Sequence, residues 1–218
     1  MTHLHVLDHP LAAHHLSTLR DQDTRPFEFR AAVSRLATLI GVYATEGLRT
    51  GQCTITTPVA ETVGHRLQSE IGIVPVLRAG LGMVDSLLDL IPDAAVWHLG
   101  MYRNEATAEP IGYYDKLPKI NPPEVALVLD PMLATGGSIE LVVRRLMQWG
   151  VGEIRVLSII AAQPGIDRIA QTFPEVSVFV AAVDPELNAS SFIVPGLGDA
   201  GDRIFDTPPP EWEHNSDG

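Results

Sequence analysis

Apolar positions along the chain follow two periods. Phe29, Val33, Leu36, Ile40 and Tyr43 recur every three or four places, which predicts an amphipathic helix over 27–44 with Pro26 near its first turn. Elsewhere the apolar residues run together, at Ile71 to Leu77, Ala94 to Leu99, Val125 to Leu129, Glu153 to Ala161 and Val176 to Val183. Short runs of this kind, bounded by turn signals, predict strands buried on both faces of a parallel sheet. Helical patterns separate them: Met83, Val84, Leu87, Leu88 and Ile91, then 139–149, then 166–172. Cys53 to Thr57 reads as a further strand. Thr57-Pro58 reads as the start of a helix, with Thr57 as cap, Pro58 first and Glu61 in the first turn. Near the N-terminus, His9-Pro10 followed by Leu11, Leu16 and Leu19 predicts a short helix. Strands alternating with helices imply an α/β fold with a mainly parallel sheet flanked by helices.

Two stretches break the alternation. Residues 100–123 carry Arg103, Asn104, Glu105, Tyr113, Tyr114, Asp115 and Lys116 with little periodicity. A connection this long in a compact domain is usually a functional lid or a disordered segment. Residues 191–201, Ser-Phe-Ile-Val-Pro-Gly-Leu-Gly-Asp-Ala-Gly, follow the last core strand, and their glycines and proline favour an irregular backbone that presents its own N–H and C=O groups.

The richest chemistry lies at 125–138, Val-Ala-Leu-Val-Leu-Asp-Pro-Met-Leu-Ala-Thr-Gly-Gly-Ser. A buried strand here ends in a carboxylate, Asp130, and ligands of parallel sheets sit beyond the carboxyl ends of the strands. Thr135 and Ser138 supply hydroxyls, and Gly136 and Gly137 leave room for a ligand against main-chain amides. The helix that follows opens its amides and its dipole toward an anion. The turn has no Walker A lysine and no Gly-x-Gly-x-x-Gly pattern, and a bare Gly-Gly-Ser would be an ordinary strand-turn-helix junction. Arg78 stands at the end of another buried run, before Gly80 and Gly82, and forms a second anion-accepting turn expected on the same edge. A ligand with phosphate at both ends would span the two.

Charge sharpens this picture. The 218 residues hold 15 Lys and Arg against 27 Asp and Glu, a net charge of −12, which disfavours a nucleic-acid or anionic-membrane surface. Hydrophobic content of 45% and a mean hydropathy of +0.13 allow a sizeable core. No membrane-length apolar run or signal-peptide pattern is present. One cysteine, Cys53, excludes an intrachain disulfide and fits a cytoplasmic protein, where it is expected to be a buried, inert thiol. Five of the eight histidines lie at 3, 5, 9, 14 and 15; without a nearby Cys they read as helix residues rather than metal ligands.

Four strings, Leu77 to Met83, Gly100 to Glu105, Asp130 to Ser138 and Ile193 to Asp202, together with His9-Pro10, closely resemble the uracil phosphoribosyltransferase family, in that family's order and over nearly the whole chain. The resemblance implies one phosphoribosyltransferase domain, 1–206, made of an N-terminal helical segment 1–48, a core 49–183 with a lid at 100–123, and a uracil-binding hood 184–206, followed by a flexible tail 207–218. It implies Arg78, Arg103 and Asp130 as catalytic residues. Phosphoribosyl diphosphate would be held by Arg78, Ala79, Gly80, Arg103, Asp130, Pro131, Met132, Leu133, Ala134, Thr135, Gly136, Gly137, Ser138 and Asp199. Uracil would be read by Ile193, Gly198, Asp199 and Ala200. It further implies Mg2+, a homo-oligomer, and the GTP effector known in some relatives. Relatives in the wider superfamily carry two adjacent acids at the cup, where this chain has Leu129-Asp130, so magnesium is expected through substrate and water, near Asp199, rather than on protein ligands. The segment Asp184-Pro-Glu-Leu-Asn also lacks the family's usual glycine before Leu-Asn, which leaves that loop open. A nucleotide-sensing regulator and a phosphoribosyltransferase for another base stand as alternatives.

Overall fold

The computed structural model describes residues 3–103, 110–115 and 117–207. β1 (His3–Val6) leads into α1 (Pro10–Arg20) and α2 (Pro26–Ala44). Pro10 opens α1, and His9 caps it by accepting the Leu11 N–H through Nδ1 at 3.1 Å. In α2 the residues Phe29, Val33, Leu36 and Ile40 are almost fully buried, as their spacing predicts. β2 (Thr50–Thr56) and β3 (Glu61–Leu67) follow as an antiparallel hairpin apart from the main sheet.

That hairpin replaces the helix expected from Thr57-Pro58. The Thr57 hydroxyl does accept the amides of Val59 and Ala60, as a helix cap would, but Thr57 N–H also donates to the Ala60 carbonyl and the chain turns back. A capping hydroxyl and a following proline serve a tight turn as well as a helix start. The β-branched residues on both sides, Thr54, Ile55, Thr56, Thr62 and Val63, then pair across the turn. Cys53, expected to be buried, is half-buried on this hairpin.

The main sheet continues with β4 (Ile71–Leu77), α3 (Leu81–Leu90), β5 (Ala95–Val96), β6 (Leu99–Arg103), β7 (Pro110–Asp115), β8 (Val125–Leu129), β9 (Met132–Leu133) and α4 (Gly137–Trp149). It ends with β10 (Glu153–Ala162), α5 (Gln163–Thr172) and β11 (Ser177–Asp184), before the short β12 (Glu186–Leu187), β13 (Ile193–Val194) and α6 (Ala200–Phe205). Strand order is β1-β11-β10-β8-β4-β6-β7, and every pairing is parallel except β6 with β7. Two expectations change here. The N-terminal segment is not only helical, because β1 adds an edge strand beside β11. The lid region is not aperiodic, because β6 and β7 form a hairpin whose root is tied to α4 by Asp115 and Arg145, 2.5 Å apart. Residues 104–109, 116 and the tail from 208 lie outside the described residues.

β8 is the centre of this arrangement, with every residue buried and neighbours on both sides. One core cluster lies under α1, α2 and α3 and includes Leu127 and Leu129; the other lies under α4 and α5 and includes Ala126 and Val128. Alternate residues of one strand thus anchor both layers. Leu127, fully buried, tests that role. Leu127→Ala should lower the unfolding free energy by about 2–5 kcal/mol, read as an earlier urea midpoint at unchanged slope. A loss well below 1 kcal/mol, roughly the worth of one buried methylene, would contradict a tightly packed centre.

Candidate active site

Three neighbouring parallel strands deliver the catalytic candidates to one edge. Pro75 of β4 lies beside Leu129 of β8, so Arg78 and Asp130 both follow directly at the carboxyl ends. Leu77 pairs with Gly100 of β6, which puts the backbone of Arg103 on the same edge; its side chain lies outside the described residues.

Asp130 sits at an irregularity rather than at a plain strand end. Its N–H donates to the Leu157 carbonyl, after which the amides of both Ile159 and Ile160 donate to the Pro131 carbonyl, at 3.0 and 3.1 Å. Two residues of β10 thus oppose one, a bulge of the kind that re-aims a side chain, and β9 then rejoins the sheet beside Ile160 and Ala161. Asp130 accepts the Met132 N–H at 3.3 Å. Burial lifts its carboxyl from the ordinary value to about 7, the Met132 amide opposes this, and the charge of Asp199 adds to it. Leu129, the residue before it, is fully buried in the core.

The turn expected to hold a phosphate follows. Gly136 takes the left-handed conformation, φ 78°, and caps α4, whose first turn offers amides without intrahelical acceptors. Thr135 and Ser138 are half-buried, and neither hydroxyl bonds to another described residue. Beside the cup, the Ala79-Gly80 turn presses so closely on β8 that a Cβ at Gly80 would lie 2.3 Å from the Leu129 carbonyl oxygen. Glycine is required there by space.

The hood closes the edge. Ile193, Leu197 and Ala200 are buried while Gly198 and Asp199 are exposed, so any reading of a base by Ile193 rests on its main chain. The open question at 184–188 resolves into the small β12–β13 hairpin, with Asn188 Oδ1 accepting the amides of Ser190 and Phe192. α6 lies over the Arg78 turn: a Cβ at Gly201 would meet Asp199 Oδ1 at 3.2 Å and Arg78 Nη2 at 3.8 Å. Arg78 is paired with Asp202, Nη2 to Oδ1 3.0 Å, while more than half of its side chain stays exposed. Asp202 was not among the sequence candidates. Its one signal is the spacing Asp199-x-x-Asp202, in which the Asp199 carboxylate caps α6 by accepting the Asp202 N–H at 3.0 Å.

A depression of about 510 Å³ lies at the opposite end of the sheet, where Val125 and Glu153 begin their strands. Its charged groups are already matched, Arg49 with Glu124 and Arg155 with Glu153, so it offers little to a charged ligand.

A model of the uracil phosphoribosyltransferase family matches residues 6–207. The chain belongs to the uracil phosphoribosyltransferase family. A uracil phosphoribosyltransferase of Roseiflexus sp. strain RS-1 is 48% identical over 207 residues, covering 95% of this chain and 100% of that protein. One from Campylobacter concisus is 45% identical, again over 95% and 100%. The solved structure of a protein from Aquifex aeolicus shares 36% identity, covers 93% of this chain and 97% of that one, and superposes with a TM-score of 0.88. This is a phosphoribosyltransferase fold, and the chain is a pentosyltransferase. No helix among the described residues is long and apolar enough to cross a membrane.

The raised pKa of Asp130 has a sign that can be measured. An unfolded aspartate ionises near about 4, whereas the folded one holds its proton to about 7. The native state therefore binds the extra proton between these values, and its stability falls as pH rises through them. Asp130→Asn removes this penalty, so its melting temperature relative to the parent should rise more at pH 8 than at pH 5. An equal offset at both would return Asp130 to ordinary carboxylate behaviour.

Proposed function

We propose that this crevice performs the family's reaction through the residues named above: the 5-phosphoribosyl group moves from phosphoribosyl diphosphate to N1 of uracil, giving UMP and diphosphate in pyrimidine salvage. The observation that carries this reading is the meeting of Asp130, the open cup and Arg78 on adjacent parallel strands. Asp130 would accept hydrogen bonds from the ribose hydroxyls, which favours its ionised form. The amides and hydroxyls of 131–138 would hold the 5-phosphate, with the α4 dipole behind them. Arg78 and the Ala79-Gly80 backbone would hold the diphosphate.

Breaking the C1′–O bond leaves positive charge on the sugar and adds negative charge to the departing oxygens. Cationic groups that meet that added charge stabilise the transition state more than the ground state. Arg103, on the β6–β7 hairpin, would close over the diphosphate at this stage and exclude water. Uracil presents alternating acceptors and a donor, which the main chain at Ile193, Gly198, Asp199 and Ala200 would match; the 4-amino group of cytosine would face the wrong partner.

Magnesium fits the site as an ion brought by the substrate. Asp130 and Asp199 are near enough for one charge to act on the other, and one or two carboxylates with phosphates and water are the usual setting for this cation. They would hold it through water, where it offsets negative charge on the diphosphate. A second copy of the chain is the expected partner: Val63 and Leu67, on one face of the β2–β3 hairpin, are 59% and 47% exposed and Val59 at its turn 93%, apolar positions suited to another subunit.

Radiolabelled uracil with phosphoribosyl diphosphate and magnesium should yield UMP, while cytosine, hypoxanthine and orotate should yield little product. No UMP from pure protein would end this reading. Arg103→Ala should lower turnover by about 10²-fold or more, the scale of a lost transition-state donor, with far less effect on uracil binding. Equal losses in both would remove the lid role.

A further inference from the structure

The hood has little regular structure of its own. Its only ladder is the two-residue pairing of Glu186 with Val194 and Leu187 with Ile193. Part of what holds the rest comes from the start of the chain. Arg20, the last residue of α1, places both terminal nitrogens on Asp184, Nη1 to Oδ2 at 2.9 Å and Nη2 to Oδ1 at 2.6 Å. The same Nη1 donates to the Gly196 carbonyl at 2.8 Å, and the same Oδ2 accepts the Gly196 N–H at 3.0 Å. One ion pair therefore closes over both polar main-chain groups of one hood residue. Asp184 is only 4% exposed, so the pair is the means by which its charge is compensated.

A second clasp lies beside it. Arg203 of α6 donates to the Leu197 carbonyl at 2.8 Å and to the carbonyls of Leu19 and Asp21 at 2.5 and 2.6 Å. Its guanidinium rests 4.3 Å from the centre of the Phe29 ring. The carbonyls at the end of α1, which lack helical partners, are satisfied by a residue of the hood's own helix. Gly196 and Leu197 are thus each gripped by an arginine, one from each end of the chain.

A base reader made of main-chain groups cannot correct its own geometry. Its selectivity depends on where the backbone is held, since a displacement of a few tenths of an ångström weakens a hydrogen bond to the right base and relaxes the penalty against the wrong one. We infer that Arg20 and Asp184 are positioning residues for base selectivity, setting the register of 193–200 from outside the crevice. Neither belongs to the phosphate cup or to the Arg78 turn. The inference rests on the reading of 193–200 as the uracil reader.

The test measures KM for uracil, KM for phosphoribosyl diphosphate and the uracil-over-cytosine ratio of kcat/KM in Arg20→Met, Arg20→Lys and Asp184→Asn. These quantities do not depend on the fraction of enzyme that folds, so partial misfolding leaves them readable. Arg20→Met and Asp184→Asn should raise KM for uracil at least tenfold and lower the uracil-over-cytosine ratio. KM for phosphoribosyl diphosphate should stay within twofold, and Arg20→Lys, which keeps the charge, should fall between parent and Arg20→Met. A lower melting temperature with unchanged KM and ratio would reduce the pair to a structural brace and overturn the inference, as would parallel rises in both KM values. Gly198→Ala separates the two levels. If it leaves KM for uracil unchanged, the reader itself is misassigned; if it raises that KM while the Arg20 and Asp184 variants do not, only the positioning role fails.

Discussion

The structure depends on one constraint, the burial of β8 on both faces between two parallel neighbours. A strand in that position must read as an unbroken apolar run, and its neighbours must point the same way. Asp130, Arg78, the Arg103 backbone and Asp184 all therefore emerge at a single edge, although they come from four separate stretches of sequence. The bulge opposite Pro131 adds a local adjustment, turning the chain after Asp130 and letting β9 resume beside β10. Packing thus supplies the coarse placement and an interruption of the ladder the fine one.

An acidic chain that grips an anionic substrate needs local rather than global charge. Amides at the start of α4 carry no net charge but present fixed dipoles. Arg78 is kept in place by Asp202 while leaving donors exposed. Burial holds the Asp130 carboxyl up to about 7 and the charge of Asp199 adds to this, so the folded state bears a cost when Asp130 ionises. Stability is thereby given up at the residue proposed to hold the ribose hydroxyls.

Most of this plan could be read from the sequence because its signals are local. The run Val125–Leu129 and the turn Thr135-Gly-Gly-Ser are contiguous, as are Arg78 and its glycines. Thr57-Pro58 failed because a capping hydroxyl before proline is the same local signal in a helix and in a turn, and only the pairing of Cys53 with Gly64 and its neighbours decides between them. β1 was missed because four residues, His-Leu-His-Val, are too few to establish an alternation, and their partner lies at 177–180. The β6–β7 hairpin hid in the same way, its pairing broken by an irregularity between Gly100 and Met101. The pairing of Arg20 with Asp184 left no trace: 164 residues separate them, and although the segment from Asp184 stood out for its missing glycine, nothing local pointed from it to Arg20.

Among the described residues β1 pairs only with β11, and α1 is clasped by residues at 184–203. In translation order β1 and α1 precede these partners by 164 residues or more. Until then α1 can pack on α2, but β1 lacks the strand it pairs with, and contacts of such long sequence separation form late. The fold is therefore completed by a closure in which residues 3–21 meet residues 177–203. A nascent chain cut short before residue 184 would have its cup and its Arg78 turn encoded, but no clasp for its first helix and no hood.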